Sequence, residues 1–391
     1  MHEILTSGFL YPNEIHVHWT IMIVLYPYIT GLVAGAFIVS SLYHVFGVEE
    51  LKPIARFSLV GAFCFLIFAC SPLLFHLGHP ERAFNIMFTP KFTSAMSGFG
   101  YILSFYMIIV LLEIWFVYRP EIVKRAKEST GIMKAVYWAM ALGSYDVSDE
   151  ALKIDHKITL VLASIGIPSA CILHGYVGFL FGSLKSNPWW SSPLMPVIFL
   201  LSAIVSGIAV LIVAYWAVQK FKGREVDAPC MHTMCKYLWG FLIIDVTLEL
   251  LEILTHGYEA HEEWHIISQL ITDKLGFSYI VLQMLICSLI PLVLLGFVSL
   301  KKMSDQMRTR LGLACSILAL VQVLAMRWNV IVGGQLFSKS LRGFTSYTPT
   351  FLGREGLIIA LILFAMPFVT MYIFNLLLPL WNNDAPPQEE G

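Results

Sequence analysis

The chain has few charged residues for its length. Only 13% of its 391 residues are Asp, Glu, Lys or Arg, whereas 58% are hydrophobic. Because a soluble domain carries roughly a quarter charged residues, the composition excludes an ordinary soluble protein and indicates one that crosses a membrane several times. The net charge of −1 and the lack of a basic stripe mean that we expect no nucleic acid partner.

The sequence also lacks the cysteine patterns that bind metal clusters. The chain has 7 cysteines, most of them inside apolar runs, where they are expected to pack as small hydrophobic residues. Only Cys230 and Cys235 lie close together in a predicted loop, and no C-x2-C array is present. Iron–sulfur clusters are held by such arrays, so we expect no cluster in this chain.

Lys and Arg are absent from Met1–Asn13. The positive region of a cleaved signal peptide is therefore missing, and we expect the first span to act as its own insertion signal. The tail Asn382–Gly391 is polar and rich in acidic residues and proline. This composition predicts a short disordered end.

Long apolar runs predict an all-α polytopic membrane protein, since about 20 apolar residues cross the hydrocarbon layer. We predict nine spans, at about 17–45, 54–77, 97–118, 155–182, 192–218, 236–258, 277–300, 310–332 and 355–380. The segment 131–144 is apolar but short and carries Lys134. We expect it to be an interfacial helix, with a tenth span as the alternative.

Basic residues are concentrated in alternate loops of this arrangement, namely those that follow the odd-numbered spans. Loops rich in Lys and Arg stay in the cytoplasm. We therefore expect a multi-pass protein of the cytoplasmic membrane, with its N-terminus outside and its C-terminus in the cytoplasm. The outer loops 78–95 and 333–354 are rich in Gly, Pro and aromatic residues and are candidates for a docking surface.

One predicted span carries a stripe of ionisable residues: Asp245, Glu249, Glu252 and His256. The spacing i, i+4, i+7, i+11 places them on one helix face, and ionisable residues at membrane depth mark proton, ion or ligand sites. We interpret the stripe as a proton path, with Arg327 of span eight as a possible partner of Glu249 or Glu252. A static buried network is the alternative. Glu113 of span three could extend a proton path through the first half of the chain.

Histidines collect at the outer ends of the first four predicted spans. His16 and His18 open span one, His76 and His79 close span two, and His174 lies in span four near Tyr176. Such side chains donate and accept protons and suit the two carbonyl oxygens of a quinone headgroup. Interfacial histidines satisfied by water are the alternative. A pair of histidines could also ligate haem, but the pattern of a two-haem bundle is missing, so we expect no haem.

Two stretches resemble the signature sequences of the NrfD/PsrC family, the membrane subunits of polysulfide-reductase-type complexes. The stretch Leu77–Tyr101 matches the family pattern L-G-x-P-x-R followed by Ser-x-Met-Ser, and His174–Gly207 contains the Pro-Trp-Trp-x-Ser-Pro core. A third element, RWNVIVGGQ with Tyr347 and Glu355 after it, resembles the long members HybB and DsrP. The GGQ sequence favours the DsrP type.

The resemblance implies two four-helix bundles, with a menaquinone or other quinone site near the outer surface of the first. It also implies a ferredoxin-like iron–sulfur subunit docked on the outer loops, besides further cytochrome or catalytic subunits. By position, the implied quinone site comprises the following residues: His16, His18, Gly78, Arg82, His174 and Tyr176.

The predicted organisation is therefore a first bundle over 1–182, a second bundle over 183–332, and an outer loop, last span and tail over 333–391. The expected function is electron exchange between the quinone pool and a docked iron–sulfur subunit, in sulfur- or sulfite-linked metabolism and with possible proton translocation. Two alternatives remain: a secondary transporter, in which the carboxylate stripe binds a coupling cation, and a purely structural membrane anchor.

Overall fold

A computed structural model of the chain describes residues 5–91, 93–259 and 262–381. Its helices are α1 (Ile21–His44), α2 (Lys52–Phe68), α3 (Ser71–His76), α4 (Asn85–Phe88), α5 (Ala95–Glu128), α6 (Gly131–Met140), α7 (Asp149–Gly182), α8 (Met195–Phe221), α9 (Ala228–Glu259), α10 (Trp264–Gln269), α11 (Ile290–Leu300), α12 (Asp305–Ile331) and α13 (Leu357–Leu377). Two π-helical stretches, Leu270–Lys274 and Gly276–Leu289, join α10 to α11. The tail predicted to be disordered, 382–391, lies outside the described residues.

The predicted membrane spans are present as helices. Within the described ranges, 8 helical segments are long and apolar enough to cross a membrane. The sixth predicted span is α9, which is 32 residues long but falls outside this group because its apolar stretch carries three carboxylates, Asp245, Glu249 and Glu252. The polytopic all-α fold is confirmed, whereas the count of nine spans stays a prediction that depends on α9.

The helices pack as two four-membered rings. In the first ring α1 contacts α2, α2 contacts α5, α5 contacts α7, and α7 returns to α1. In the second ring α8 contacts α9, α9 contacts α11, α11 contacts α12, and α12 returns to α8. These rings are the two predicted four-helix bundles. The last span, α13, packs outside the first ring against α2 and α1, and the predicted domain bounds at 182 and 332 stay predictions.

Small residues let the two bundles approach closely where α1 crosses α8. A Cβ atom added to Gly35 would lie 2.6 Å from the Cα of Gly207, and one added to Gly31 would lie 3.4 Å from Ala203. Each helix thus presents two small residues four positions apart, a pattern that permits close backbone packing of membrane helices. The junction between the bundles is therefore a backbone-to-backbone contact.

Three local features of the helices differ from what hydropathy alone predicts. The second predicted span is interrupted at Ala69–Cys70, before Pro72 in the first turn of α3, because proline cannot donate the backbone hydrogen bond that continues a helix. The seventh span is π-helical over 14 residues. Helix α6 has 10 residues, about 15 Å of helix, which is too short to cross a bilayer.

One end of both bundles, where α1, α5, α8 and α13 begin and α3, α7, α9 and α12 end, is called here the N-terminal face. It includes a two-stranded antiparallel ribbon, β1 (Ser7–Phe9) with β2 (Arg342–Phe344), in which Gly8 pairs with Gly343. The sequence did not predict this ribbon. It ties the segment before α1 to the segment after α12.

Candidate functional site

A recess of about 310 Å³ opens on the N-terminal face beside the first turn of α1. His16 and His18 line it, and both side chains are exposed. The indole rings of Trp19 and Trp190 stack with their centroids 5.0 Å apart and form an apolar wall. The remaining lining residues are Asn13, Glu14, Ser186, Asn187, Gly334, Gln335, Phe337 and Lys339. We call this cavity the N-terminal recess.

The other four residues of the implied quinone site do not line this recess. His174 is on α7 and only 2% exposed, and its Nε2 has no hydrogen-bond partner in the described part of the chain. Gly78 and Arg82 are exposed in the loop after α3, where the Arg82 guanidinium lies 3.9 Å from Glu81. The structure therefore brings His16 and His18 together but leaves these three residues apart from them.

Tyr176, the sixth residue, joins α7 to the start of α5. Its hydroxyl donates a hydrogen bond to the Ala95 carbonyl, at 2.5 Å, and its ring lies where a side chain on Gly98 would otherwise be. The glycine in the resembling motif thus has a packing reason. Tyr176 shapes the bundle at this point.

Side chains from the C-terminal third of the chain hold the first turn of α1. Gln335 accepts from the Trp19 N–H (2.9 Å) and donates to the Trp19 carbonyl (3.2 Å). The Ile21 N–H donates to the Tyr347 hydroxyl (3.3 Å), and the Thr20 hydroxyl donates to Glu355 Oε2 (2.5 Å). Burial raises the pKa of Tyr347, which keeps the phenol protonated.

His76 joins this group from the end of α3. Its Nδ1 lies 3.0 Å from Glu355 Oε2, the oxygen that also accepts from Thr20. The two side chains are only partly exposed, 24% for His76 and 32% for Glu355. This histidine–glutamate pair, which we call the His76–Glu355 dyad, was not predicted from the sequence.

In the second bundle Glu249 is held by two amides. Gln283 of the π-helical stretch donates to Glu249 Oε2 (2.9 Å), and Gln322 of α12 donates to Oε1 (3.0 Å). Asn329 donates in turn to Gln283 (2.7 Å) and accepts from Ser278 (2.7 Å). A chain of hydrogen bonds therefore crosses three helices around one buried carboxylate.

A small cavity of about 30 Å³ lies along the outer part of the stripe. Glu249, Glu252 and His256 line it together with Tyr279 and Trp189. His256 also borders a surface recess of about 280 Å³ that is lined by Glu259 and Glu263. The stripe predicted from the helical spacing thus lies on one face and leads from a buried carboxylate towards the surface.

Asp245 and Arg327 do not line this cavity and are almost fully buried. Neither oxygen of Asp245 has a hydrogen-bond partner within the described ranges. The Arg327 guanidinium donates to the Phe199 carbonyl (3.1 Å) and to the Ser202 hydroxyl (2.8 Å) of α8 and lies 3.8 Å from the Phe199 ring centroid. The direct ion pair with Glu249 or Glu252 that the sequence suggested is not formed among these residues.

Glu113 belongs to the first bundle and is separate from the stripe. It is 0% exposed in α5, and neither of its oxygens has a partner among the residues that the structure describes. The hydroxyls of Tyr106 and Tyr118 on the same helix are likewise buried without a partner.

Sequence reasoning missed the amides around Glu249 and the dyad at Glu355. Gln283, Gln322 and Asn329 are polar residues inside apolar runs, which is the same signal that identified the carboxylates. Glu355 follows the RWNVIVGGQ element that the resemblance had already singled out, but nothing in the sequence pointed from it to His76.

Comparisons with known proteins identify the family of the chain. Residues 12–339 match the family described as polysulphide reductase, NrfD. Since this match covers most of the chain, it shows the family.

Three relatives illustrate the similarity. A selenate reductase subunit of Mesobacillus selenatarsenatis is 29% identical over 91% of this chain and 86% of its own length. Protein NrfD of Escherichia coli is 26% identical over 61% of this chain and 72% of its own length. The Hdr-like menaquinol oxidoreductase integral membrane subunit of Archaeoglobus fulgidus is 24% identical over 62% and 53%, respectively. The chain is a multi-pass membrane protein that belongs to the NrfD family of polysulfide reductase membrane subunits.

Proposed function

We propose that this chain is the quinone-reactive membrane subunit of a multi-subunit oxidoreductase, in which it links the membrane quinone pool to an iron–sulfur subunit. The family match and the relatives' names support this role, since they include a selenate reductase subunit and a menaquinol oxidoreductase membrane subunit. The observation that carries the proposal is the N-terminal recess with its two histidines and stacked indoles.

The residues of the recess fit a quinone headgroup. His16 and His18 can donate to or accept from its oxygens, and the stacked Trp19 and Trp190 offer a flat apolar surface to its ring. When bound, a quinone supplies a couple of two electrons and two protons. The unpartnered Nε2 of buried His174 is a further possible donor, while Gly78, Arg82 and Tyr176 act by shaping the surrounding loop and helix ends.

The partner surface is proposed on the N-terminal face. The loop after α3 exposes Phe84 (69%) and Phe88 (80%), and the loop before α13 exposes Phe351 and Leu352. Exposed apolar side chains at one end of a membrane protein are typical of a protein interface. We assign this face to a ferredoxin-like iron–sulfur subunit, with cytochrome or catalytic subunits beyond it, and we place it outside the cytoplasm.

Proton movement is proposed for the second bundle. Asp245, Glu249, Glu252 and His256 follow one face of α9 towards a surface recess, with Arg327 and the amides beside them. Glu113 would serve a separate branch in the first bundle. Menaquinone as the quinone, and sulfite-linked metabolism of the DsrP type, remain predictions that depend on the resemblance alone.

A binding assay with a quinone analogue on the assembled complex tests the proposed site. We expect His16→Ala and His174→Ala each to weaken binding by about tenfold, the loss of one hydrogen bond to a polar group. His79→Ala is the matched control, because His79 is an exposed histidine of the same face that pairs with Glu81 (2.9 Å). Unchanged affinity in both recess and α7 variants contradicts the site.

A further inference from the structure

The loop before α13 is shaped around the end of α3. The Arg354 guanidinium donates to the carbonyls of Leu74 (3.1 Å) and Leu77 (2.5 Å), which are among the carbonyls left without partners at a helix C-terminus. The next residue, Glu355, contacts the last side chain of the same helix, His76. Two consecutive residues thus hold the backbone and the imidazole of one helix end.

Glu355 is also placed where a negative charge is favourable. It accepts from Thr20, the residue that caps the N-terminus of α1, and it directly precedes Gly356, the N-cap of α13. Helix N-termini carry partial positive charge and stabilise carboxylates. The carboxylate of Glu355 therefore lies between two helix N-termini and the His76 ring.

A carboxylate at Nδ1 selects one form of the imidazole. The neutral ring must carry its proton on Nδ1 to donate to Glu355, which leaves the lone pair on Nε2. No hydrogen bond to Nε2 of His76 is found within the described residues. Nε2 is therefore the atom at which this histidine can take up a proton, and Glu355 balances the charge of the resulting imidazolium.

The dyad lies next to the N-terminal recess. Thr20, which binds Glu355, directly follows Trp19, which lines the recess and is held by Gln335. Glu355 itself lies beyond the segment 12–339 that matches the family. The pairing of this carboxylate with His76 therefore depends on a part of the chain that the family match does not cover.

We propose that the His76–Glu355 dyad exchanges protons with the substrate of the N-terminal recess, and that Glu355 is the residue that positions His76 for it. The inference rests on the proposed quinone function. The step is a proton transfer only: an O–H bond of the substrate breaks, directly or through one water, and an N–H bond forms at Nε2. Electrons leave separately, to the docked iron–sulfur subunit, and the proton passes from His76 to the aqueous phase.

The described residues around His76 include few other groups that could exchange a proton with the substrate. Among the described residues, the charged and titratable groups bonded to His76 or to the end of its helix are Glu355 and Arg354 from the loop before α13, and Tyr347 lies close to Glu355. Helix α1 contributes the uncharged Thr20. His79 and Glu81 form their own exposed pair further along the loop after α3.

The test compares Glu355→Ala with Glu355→Gln and Arg354→Ala in the assembled, membrane-embedded complex. The first readout is the tautomer of His76, measured by nitrogen NMR on histidine-labelled protein and assigned with His76→Asn. We expect Nδ1–H in the wild type and in Glu355→Gln, whose amide oxygen still accepts, and a shift to Nε2–H in Glu355→Ala. Arg354→Ala removes the hydrogen bonds to the Leu74 and Leu77 carbonyls and should leave the tautomer of His76 unchanged.

The second readout is quinol turnover. We expect Glu355→Ala to lower kcat about tenfold with KM unchanged, since one oriented proton acceptor is lost, whereas Arg354→Ala and Glu81→Gln keep the wild-type kcat. If Glu355 and Arg354 only stabilised the end of α3, then Glu355→Ala and Arg354→Ala would have equal effects on the His76 tautomer and on kcat. That result overturns the inference. If the wild-type complex binds no quinone analogue, the proposed function fails as well. If it binds one and Glu355→Ala behaves as wild type, only the dyad is wrong.

Discussion

Glu113 in the first bundle and Glu249 in the second are both buried glutamates in long apolar helices, but their hydrogen bonds differ. Glu249 accepts from two amides that are themselves held by other helices. Glu113 has no partner within the described ranges. Since an unpaired buried polar group costs about 1–3 kcal/mol, the two carboxyl groups make opposite contributions to stability.

The comparison shows that neighbouring side chains fix Glu249, whereas the first bundle encloses Glu113 without a hydrogen bond from the described residues. In the second bundle the position of Glu249 is determined by side chains from α9, α12 and the π-helical stretch. In the first bundle, hydrogen bonds at the N-terminal face hold the groups around Thr20, Gln335 and Glu355, and at the opposite end Arg119 forms a buried ion pair with Asp155. We propose that substrate chemistry takes place at the end of the first bundle and that protons move within the second.

The largest expected effect on stability comes from removing the carboxylate of Glu249, which accepts hydrogen bonds from two amides. Glu249→Leu leaves the amides of Gln283 and Gln322 without their acceptor, so we expect it to lower the free energy of unfolding by about 3 kcal/mol. Glu113→Leu removes an unpaired polar group and should raise the free energy of unfolding by about 1–3 kcal/mol. Equilibrium unfolding in mixed micelles measures both variants, and equal losses would contradict the contrast between the bundles.

The junction between the bundles should be nearly as sensitive. Gly35→Val places a side chain against the backbone of Gly207, where even a Cβ would come within 2.6 Å of its Cα, and we expect a loss of about 2 kcal/mol from overpacking. Gly240→Ala is the control, because nothing lies within 4 Å of the added Cβ. It should be neutral or stabilise the helix by up to about 1 kcal/mol. The same unfolding assay applies, and a tolerated valine would argue against close packing of α1 on α8.

The unpartnered Asp245 should affect function more than stability. Asp245→Asn keeps the shape of the side chain and breaks no hydrogen bond of the described residues, so the unfolding free energy should change by less than about 1 kcal/mol. Proton movement measured in proteoliposomes of the complex should fall by about 100-fold, the usual effect of losing one proton-transfer group. Glu113→Gln in the same assay should give a smaller loss, because Glu113 belongs to the first bundle and is separate from the stripe on α9. Full proton movement in Asp245→Asn would favour a static network.

Sequence reasoning predicted the elements that depend on local pattern. Hydropathy located the spans, and the spacing of Asp245, Glu249, Glu252 and His256 correctly placed them on one face of α9. It did not predict the π-helical stretch, because hydropathy does not report which carbonyl each N–H reaches. That stretch matters, since it carries Gln283 to the Glu249 carboxylate.

Long-range pairs were the part that the sequence could not predict. His76 and Glu355 are separated by 279 positions, and their contact depends on how α13 packs on the first bundle. The resemblance grouped six residues as one quinone site, whereas only His16 and His18 share the N-terminal recess. The location of the quinone site stays a prediction, and motif positions did not predict which of these side chains meet.

Photo-crosslinking of the complex with a quinone that carries a photoreactive group tests the central claim most directly, because it compares the two bundles in one experiment. The proposed function predicts that labelled peptides come from the walls of the N-terminal recess, within 12–20, 183–191 or 333–339, and that excess natural quinone prevents the labelling. Labelling confined to α9, α11 and α12 of the second bundle, with none in the walls of the recess, would contradict it.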